Sequence, residues 1–125
     1  MANGSLRNLR ILVVEDEFVI AAELQHRLEA TGVVVIGPAS SVERAVALIQ
    51  SVERLDAAVV DMNLGGEMAY PVADALVARR VPFVFTTGYG EAVVRDRYPH
   101  AVNCDKPYEF RALAMAIEGV LSHQT

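Results

Sequence analysis

Short apolar runs alternate with segments of helical periodicity five times along this chain. Each run is four to six residues long and is bounded by polar residues or glycine, which is typical of buried β-strands. The runs predict five strands, at residues 9–14, 33–36, 57–60, 81–85 and 101–104. Because these strands are apolar along most of their length and alternate with helices, the pattern predicts an α/β domain with a parallel sheet covered on both faces.

The segments between the apolar runs carry helix signals. Gly32 is placed to end the first helix, and Ser40 followed by Glu43 has the spacing of a capping box at the start of the second. The third helix begins at Tyr70-Pro71, since proline is acceptable in a first turn. A fourth helix, over residues 91–98, is short and weakly patterned, whereas the last one is strongly amphipathic.

Polar residues follow the predicted strands at their carboxyl ends. Glu15 and Asp16 follow the first strand, Asp61 the third, Thr87 the fourth and Lys106 the fifth. In open α/β sheets, ligands bind at the carboxyl ends of the strands, where the strand order reverses. We therefore expect a functional site along this edge of the sheet.

The composition indicates a globular protein with no membrane partner. Hydrophobic residues make up 53% of the 125 residues, which suits one domain with a substantial core. No apolar run approaches the ~20 residues of a membrane-spanning helix, and the polar N-terminus lacks the apolar segment of a signal peptide. We therefore predict a cytoplasmic location.

The charge and the cysteine content exclude further classes of function. The net charge is −5 and the 11 basic residues are scattered, which argues against direct binding of nucleic acid. Cys104 is the only cysteine, so neither an internal disulfide nor a thiolate metal cluster can form. We interpret Cys104 as a small hydrophobic residue at the end of a strand.

The three acidic residues predict a site for a hard divalent cation. If the first and third strands are neighbours, Glu15, Asp16 and Asp61 converge. Like charges ~4 Å apart repel by about 4 kcal/mol per pair at an effective dielectric constant of about 20, so the cluster must bind a proton or a cation. Oxygen ligands without histidine or cysteine favour Mg²⁺, Mn²⁺ or Ca²⁺ over zinc, and Mg²⁺ suits carboxylates combined with a phosphate oxygen.

Thr87 and Lys106 add a hydroxyl group and a compact cation, both of which suit phosphoryl oxygens. Together with a metal and a nucleophilic carboxylate, they provide the components of phosphoryl transfer. In this reaction, positioning and charge neutralisation supply most of the catalysis. An aspartyl phosphate on Asp61 is the expected product.

In these residues the sequence resembles the receiver domain of two-component response regulators. The matching marks are Glu15-Asp16 after an apolar run, Asp61 after two valines, Thr87-Gly88 and Lys106-Pro107. The resemblance implies a flavodoxin-like, doubly wound sheet of five parallel strands in the order 2-1-3-4-5, with five helices of which the fourth is short or labile. The receiver domain would span residues 8–123, after a flexible N-terminal lead over residues 1–7.

The resemblance also implies how Mg²⁺ is held. Asp16 and Asp61 would coordinate the ion directly, Glu15 through water, and Asn63 through its backbone carbonyl. Asn63 has an alternative interpretation as an ordinary turn residue, and its side chain is a further candidate for tuning hydrolysis of the phosphoryl group.

The remaining implications concern the phosphoryl group and the partners. Asp61 would be the phosphoacceptor, Thr87 and Lys106 would hold the phosphoryl group, and the Lys106–Pro107 peptide would be cis. We choose Thr87 over Thr86 because a small residue follows it. A sensor histidine kinase or a phosphotransfer protein would donate the group, and a downstream protein target would bind the face that runs from the fourth strand and fourth helix to the fifth helix.

Two positions depart from the usual receiver pattern. Asn103 stands where receivers usually carry an aromatic residue that reports phosphorylation, three residues before the lysine. Residues 85–90 are similar to a receiver branch with a Phe-Ala-Thr-Gly signature. We hypothesise that phosphorylation instead orders residues 88–98, with Tyr89 as a moving side chain.

Two rival functions remain open. The first is a pseudo-receiver, an interaction module whose pocket is vestigial and does not bind Mg²⁺. The second is a phosphohydrolase with a strand-end aspartyl nucleophile, but such enzymes generally need a second aspartate two residues later, where this chain has Asn63. We expect no enzymatic activity beyond self-catalysed phosphorylation and dephosphorylation.

Overall fold

The structure is a computed structural model that describes residues 6–88, 98 and 101–122. Its strands are β1 (Arg10–Val14), β2 (Val34–Ala39), β3 (Ala57–Asp61), β4 (Asn63–Leu64), β5 (Glu67–Met68), β6 (Phe83–Thr87) and β7 (Val102–Asp105). Its helices are α1 (Phe18–Ala30), α2 (Val42–Ser51), α3 (Tyr70–Ala78) and α4 (Phe110–Ser122). In this described part of the chain, no helix combines the length and the apolar character of a transmembrane segment.

Five of the strands form one parallel sheet, in the order β2-β1-β3-β6-β7. The other two, β4 and β5, form a separate antiparallel hairpin. With the hairpin strands set aside, this is the predicted order 2-1-3-4-5, and the predicted flavodoxin-like fold is confirmed. The predicted fifth helix is α4, whereas the predicted fourth helix falls outside the described residues except for Tyr98.

Alternate residues of each central strand pack on opposite faces of the sheet. In β3, Ala58 and Val60 join the core formed with α2 and α3, whereas Ala57 and Val59 join the core formed with α1 and α4. Successive side chains of a strand point to opposite faces, so both faces need apolar residues. The continuous apolar runs in the sequence reflect this burial on two sides.

β2 continues past the predicted end at residue 36, through Gly37 and Pro38 to Ala39. Gly37 has a φ of +92°, and a β-carbon there would lie 2.8 Å from the backbone nitrogen of Ala39, so only glycine fits. The pairing with β1 is irregular here, and the Glu15 N–H donates to the Ala39 carbonyl at 3.0 Å. The glycine and proline therefore mark an irregularity inside the strand instead of its end.

The extension of β2 moves the start of α2. The N-cap is Ser41, whose Oγ accepts a hydrogen bond from the Arg44 N–H at 3.1 Å. The predicted capping box of Ser40 and Glu43 is therefore wrong by one residue. Because β2 runs to Ala39, the helix begins one position later than the sequence pattern indicates.

β6 starts and ends two residues later than predicted. Val81 belongs to the turn after α3, since its N–H donates to the Leu76 carbonyl at 3.0 Å, and Pro82 has no N–H to give to the sheet. At the other end, Thr87 still pairs with Asp105 of β7. The sheet thus extends further towards the predicted site than the apolar run alone suggested.

Leu6, which the prediction places in a flexible N-terminal lead, belongs to the core. Leu6 is 1% exposed and packs in the core with Leu28 and Val33. Asn8 donates its N–H to the Gly32 carbonyl at 2.8 Å. The prediction of a flexible lead over residues 1–7 is therefore wrong for Leu6, because its apolar side chain is buried, while the domain bounds otherwise stay a prediction.

Candidate functional site

The end of β3 carries Asp61 to the carboxyl edge of the sheet. All five residues of β3 are buried, and Asp61 itself is only 5% exposed. β1 pairs with β3 so that Val14 lies opposite Val60, which places Glu15 beside Asp61. The parallel register of two neighbouring strands therefore brings together acids that are 46 positions apart in sequence (15 and 61).

The three acids form one cluster. Glu15, Asp16 and Asp61 each offer a carboxylate oxygen, and these oxygens all lie within 4.8 Å of one another. Repulsion at such distances favours binding of a cation. The donors are oxygen atoms only, with no histidine or cysteine in the cluster, so the residues fit Mg²⁺ or a similar hard cation.

Lys106 enters this cluster from the loop after β7. Its Nζ lies 3.0 Å from Glu15 Oε1 and 3.0 Å from Asp61 Oδ2. The Lys106 N–H donates to the Thr87 carbonyl at 2.9 Å, which ties the loop to the end of β6. The Lys106–Pro107 peptide is cis, as the resemblance implied. One ammonium group thus contacts two of the three acids.

The pKa values reflect the crowding of charge. Burial raises the pKa of Glu15 to about 7, and the neighbouring Asp61 raises it as well, against hydrogen bonds from the Glu17 N–H and from Lys106. Burial lowers the pKa of Lys106, but its hydrogen bonds to Glu15 and Asp61 outweigh this, and the net shift is upward. The cluster therefore keeps the Lys106 ammonium group charged and favours the protonated form of Glu15.

Thr87 is confirmed at the carboxyl end of β6, where it is 2% exposed. Beside it lies an open cleft of about 440 Å³. The cleft is lined by Asp16, Glu17, Asp61, Asn63, Gly65, Gly66, Gly88 and Lys106. Thr87 is not among these lining residues, although Gly88 is, so its role towards a phosphoryl group stays a prediction.

Asn63 is both a turn residue and a neighbour of Asp61. Its N–H donates to Asp61 Oδ1 at 3.1 Å, and its side-chain Oδ1 accepts from the Gly66 N–H at 2.7 Å. The hairpin β4–β5 was not predicted from the sequence, which indicated only a loop with paired glycines here. A two-residue Gly-Gly connection between Leu64 and Glu67 is a hairpin signal that could have found it.

Asn103, at the position where receivers usually carry an aromatic residue, makes polar contacts in the structure. Asn103 lies in β7, its amide donates to Asp105 Oδ1 at 2.8 Å, and its own Oδ1 is buried without a partner among the described residues. Aromatic packing occurs beside β6 instead, where the Tyr98 ring lies 5.6 Å from that of Phe85. The predicted switch at Tyr89 lies outside the described residues.

Comparison with known proteins gives the family. No family model matches the chain. The solution structure of SdrG from Sphingomonas melonis Fr1 is 38% identical, with a TM-score of 0.78, over 91% of this chain and 97% of that one. A response regulator receiver domain protein (CheY-like) from Methanospirillum hungatei JF-1 is 26% identical, with a TM-score of 0.81, over 94% of this chain and 96% of that one. The chain belongs to the response-regulator receiver domains.

A curated relative of this receiver is a longer protein. The phyllosphere-induced regulator PhyR from Methylorubrum extorquens is 31% identical over 117 residues, which cover 91% of this chain. The receiver spans only 44% of that protein's length. The family and fold implied by the sequence are thus confirmed. The activity of the longer protein is not assigned to this chain.

Proposed function

We propose that this receiver is a signalling module that accepts a phosphoryl group on Asp61, in a Mg²⁺-dependent reaction, from a sensor histidine kinase or a phosphotransfer protein. The observation that supports the proposal is the environment of the Asp61 carboxylate. Two further acids lie within 4.8 Å of it, and the Lys106 ammonium group lies 3.0 Å from its Oδ2. A nucleophile, ligands for a metal and a fixed cation therefore meet at one strand end.

The reaction transfers the group between two protein side chains. A carboxylate oxygen of Asp61 attacks phosphorus, a new O–P bond forms, and the N–P bond of the donor phosphohistidine breaks with its electron pair passing to the imidazole. When bound, Mg²⁺ neutralises charge on the phosphoryl oxygens. Lys106 adds a second positive charge, and the Asn63 N–H holds the Asp61 carboxylate in place through Oδ1.

The metal would be held by the residues that the sequence predicts. Asp16 and Asp61 offer carboxylate oxygens directly, and Asn63, whose backbone carbonyl is the predicted ligand, lines the same cleft. Glu15 is 3% exposed and already accepts hydrogen bonds from Lys106 and from the Glu17 N–H. This engagement suits the predicted role of Glu15, which acts on the ion through water.

Phosphorylation would change the binding of a protein partner in the cytoplasm. A solved PhyR structure from Bartonella quintana is named an anti-anti-sigma factor, which implies a protein partner for that relative. For this receiver we propose a downstream protein bound at the predicted face, of which β6 and α4 are described and the predicted fourth helix lies outside the described residues except for Tyr98. We propose no enzymatic turnover beyond formation and hydrolysis of the aspartyl phosphate.

Incubation with Mg²⁺ and acetyl phosphate, read by intact mass, tests the proposal. The expected result is an added phosphoryl mass in the wild-type protein, absent without Mg²⁺ and absent in the matched variant Asp61→Asn. No added mass in the wild-type protein, together with no Mg²⁺ binding, would support a pseudo-receiver instead. Repeated turnover of a small phosphate ester would support a phosphohydrolase.

A further inference from the structure

The hairpin β4–β5 connects two acids of the cluster. It begins two residues after Asp61, and its first residue, Asn63, donates its N–H to Asp61 Oδ1 at 3.1 Å. Its tip lies beside the other acid, since a β-carbon on Gly65 would lie 3.8 Å from Asp16 Oδ2. The conformation of this hairpin therefore affects the geometry on both sides of the cleft.

The side chain of Asn63 closes the hairpin across its turn. Asn63 Oδ1 accepts the Gly66 N–H at 2.7 Å. Gly65 and Gly66 have φ values of +64° and +95°, and positive φ at both central residues is what a two-residue hairpin turn of the favoured twist requires. The glycines allow this turn, and the asparagine side chain links the first strand to the second glycine of the turn.

The backbone ladder of this hairpin is short, and its base is closed by the Ala69 N–H, which donates to the Met62 carbonyl at 2.8 Å. Each strand has two residues, and the register consists of Asn63 opposite Met68 and Leu64 opposite Glu67. Isolated two-stranded hairpins are marginally stable even when they are longer. The buried Leu64 anchors the hairpin to the core, but the turn itself projects over the cleft. The bond from Asn63 to Gly66 is therefore a substantial part of what fixes the turn.

We propose that Asn63 is a positioning residue for the divalent cation and acts through its side-chain amide. This inference rests on the proposed function. Through Gly66 the side chain fixes the backbone of residue 63, whose N–H holds Asp61 and whose carbonyl is the predicted metal ligand. Gly65, the residue before Gly66 in the turn, lies next to Asp16. The side chain thus acts on the metal through the backbone that it orders.

Calorimetric titration with Mg²⁺ of the variants Asn63→Ala and Asn63→Ser tests this role. Alanine lacks the acceptor, and we expect Mg²⁺ binding about tenfold weaker, the lower end of the effect of groups that orient metal ligands. Serine can bond the same backbone N–H more weakly, so its affinity should be intermediate. With acetyl phosphate, the Mg²⁺ concentration at half-saturation should shift by the same factor.

The variant Glu67→Gln is the matched control, because it lies on the opposite strand and leaves the bond between Asn63 and Gly66 intact. It should bind Mg²⁺ as the wild type does. Wild-type Mg²⁺ affinity in Asn63→Ala, equal losses in the alanine and serine variants, or a lower saturating rate with unchanged Mg²⁺ dependence would each overturn the inference.

Failure of the proposed function gives a different result. A wild-type protein that binds Mg²⁺ but takes no phosphoryl group contradicts the proposed function, while the calorimetric comparison still decides the role of Asn63. Circular dichroism checks that each variant is folded. If the alanine variant unfolds, the comparison of serine with the wild type decides, with a weaker Mg²⁺ affinity expected for serine.

Discussion

Charged side chains have opposite roles at the two edges of the sheet. At the amino edge, Arg79 donates to the carbonyls of Ile49, Val52 and Glu53 at the end of α2. At the carboxyl edge, three acids lie together with one ammonium group that contacts two of them, and these two acids are nearly fully buried. The first arrangement satisfies a helix end, whereas the second leaves negative charge uncompensated.

The amino edge contributes to stability, whereas the carboxyl edge contributes to function. The guanidinium group at the amino edge satisfies backbone carbonyls that a helix C-terminus leaves without partners. Crowded acids at the carboxyl edge cost stability unless a proton or a cation joins them. Substitutions at the two edges should therefore affect different measurements.

Removal of Lys106 should have the largest effect. In Lys106→Ala, the phosphorylation rate with acetyl phosphate should fall by about a hundredfold, the usual loss when a group that stabilises developing charge is removed. Mg²⁺ should bind more tightly, because the acids lose their competing cation. Intact mass and calorimetry measure the two effects, with Arg111→Ala as a control. Weaker Mg²⁺ binding in Lys106→Ala would contradict this account of the cluster.

At the amino edge, Arg79→Ala should destabilise the fold by about 2 kcal/mol, since three carbonyls lose a charged donor. Urea unfolding measures this loss. Arg80→Ala, at the neighbouring exposed position, should change the unfolding free energy by less than about 0.5 kcal/mol. A large change in Mg²⁺ affinity in Arg79→Ala would show that the two edges are not independent.

Much of this architecture could be predicted from the sequence because burial on two faces leaves continuous apolar runs. The strand order, the last helix and the strand-end positions of Asp61 and Lys106 followed from that pattern and from the family resemblance. The extension of β2 through Gly37-Pro38 could not be predicted, because the same pair of residues commonly ends a strand. The link from Asn63 to Gly66 depends on side-chain geometry, which periodicity does not report.

The pH dependence of the unfolding free energy should further distinguish the carboxyl edge from the amino edge. The pKa of Glu15 is raised from 4.5 to about 7 on folding, so its contribution to stability is present below pH 4.5 and is lost as the pH rises through 7. Without Mg²⁺, the unfolding free energy should fall by about 1 kcal/mol between pH 6 and pH 8 through this group. Urea unfolding at both pH values measures it, and Glu15→Gln should abolish the change. An equal change in Glu15→Gln would show that a group other than Glu15 causes the pH dependence.

The last predicted effect concerns the cap of α2. Ser41→Ala should cost about 1 kcal/mol of unfolding free energy, because the Arg44 N–H loses its acceptor. Ser40→Ala should be close to neutral, and neither variant should alter Mg²⁺ binding. If Ser40→Ala proved the more costly, the corrected start of the helix would be wrong.

The central claim is that Asp61 becomes an acyl phosphate in the acid cluster. Borohydride reduces an aspartyl phosphate to homoserine, which peptide mass spectrometry locates in the sequence. After incubation with Mg²⁺ and acetyl phosphate, we predict homoserine at position 61, and none when Mg²⁺ is omitted. Homoserine at another aspartate, or none at any position in a protein that binds Mg²⁺, would contradict the claim.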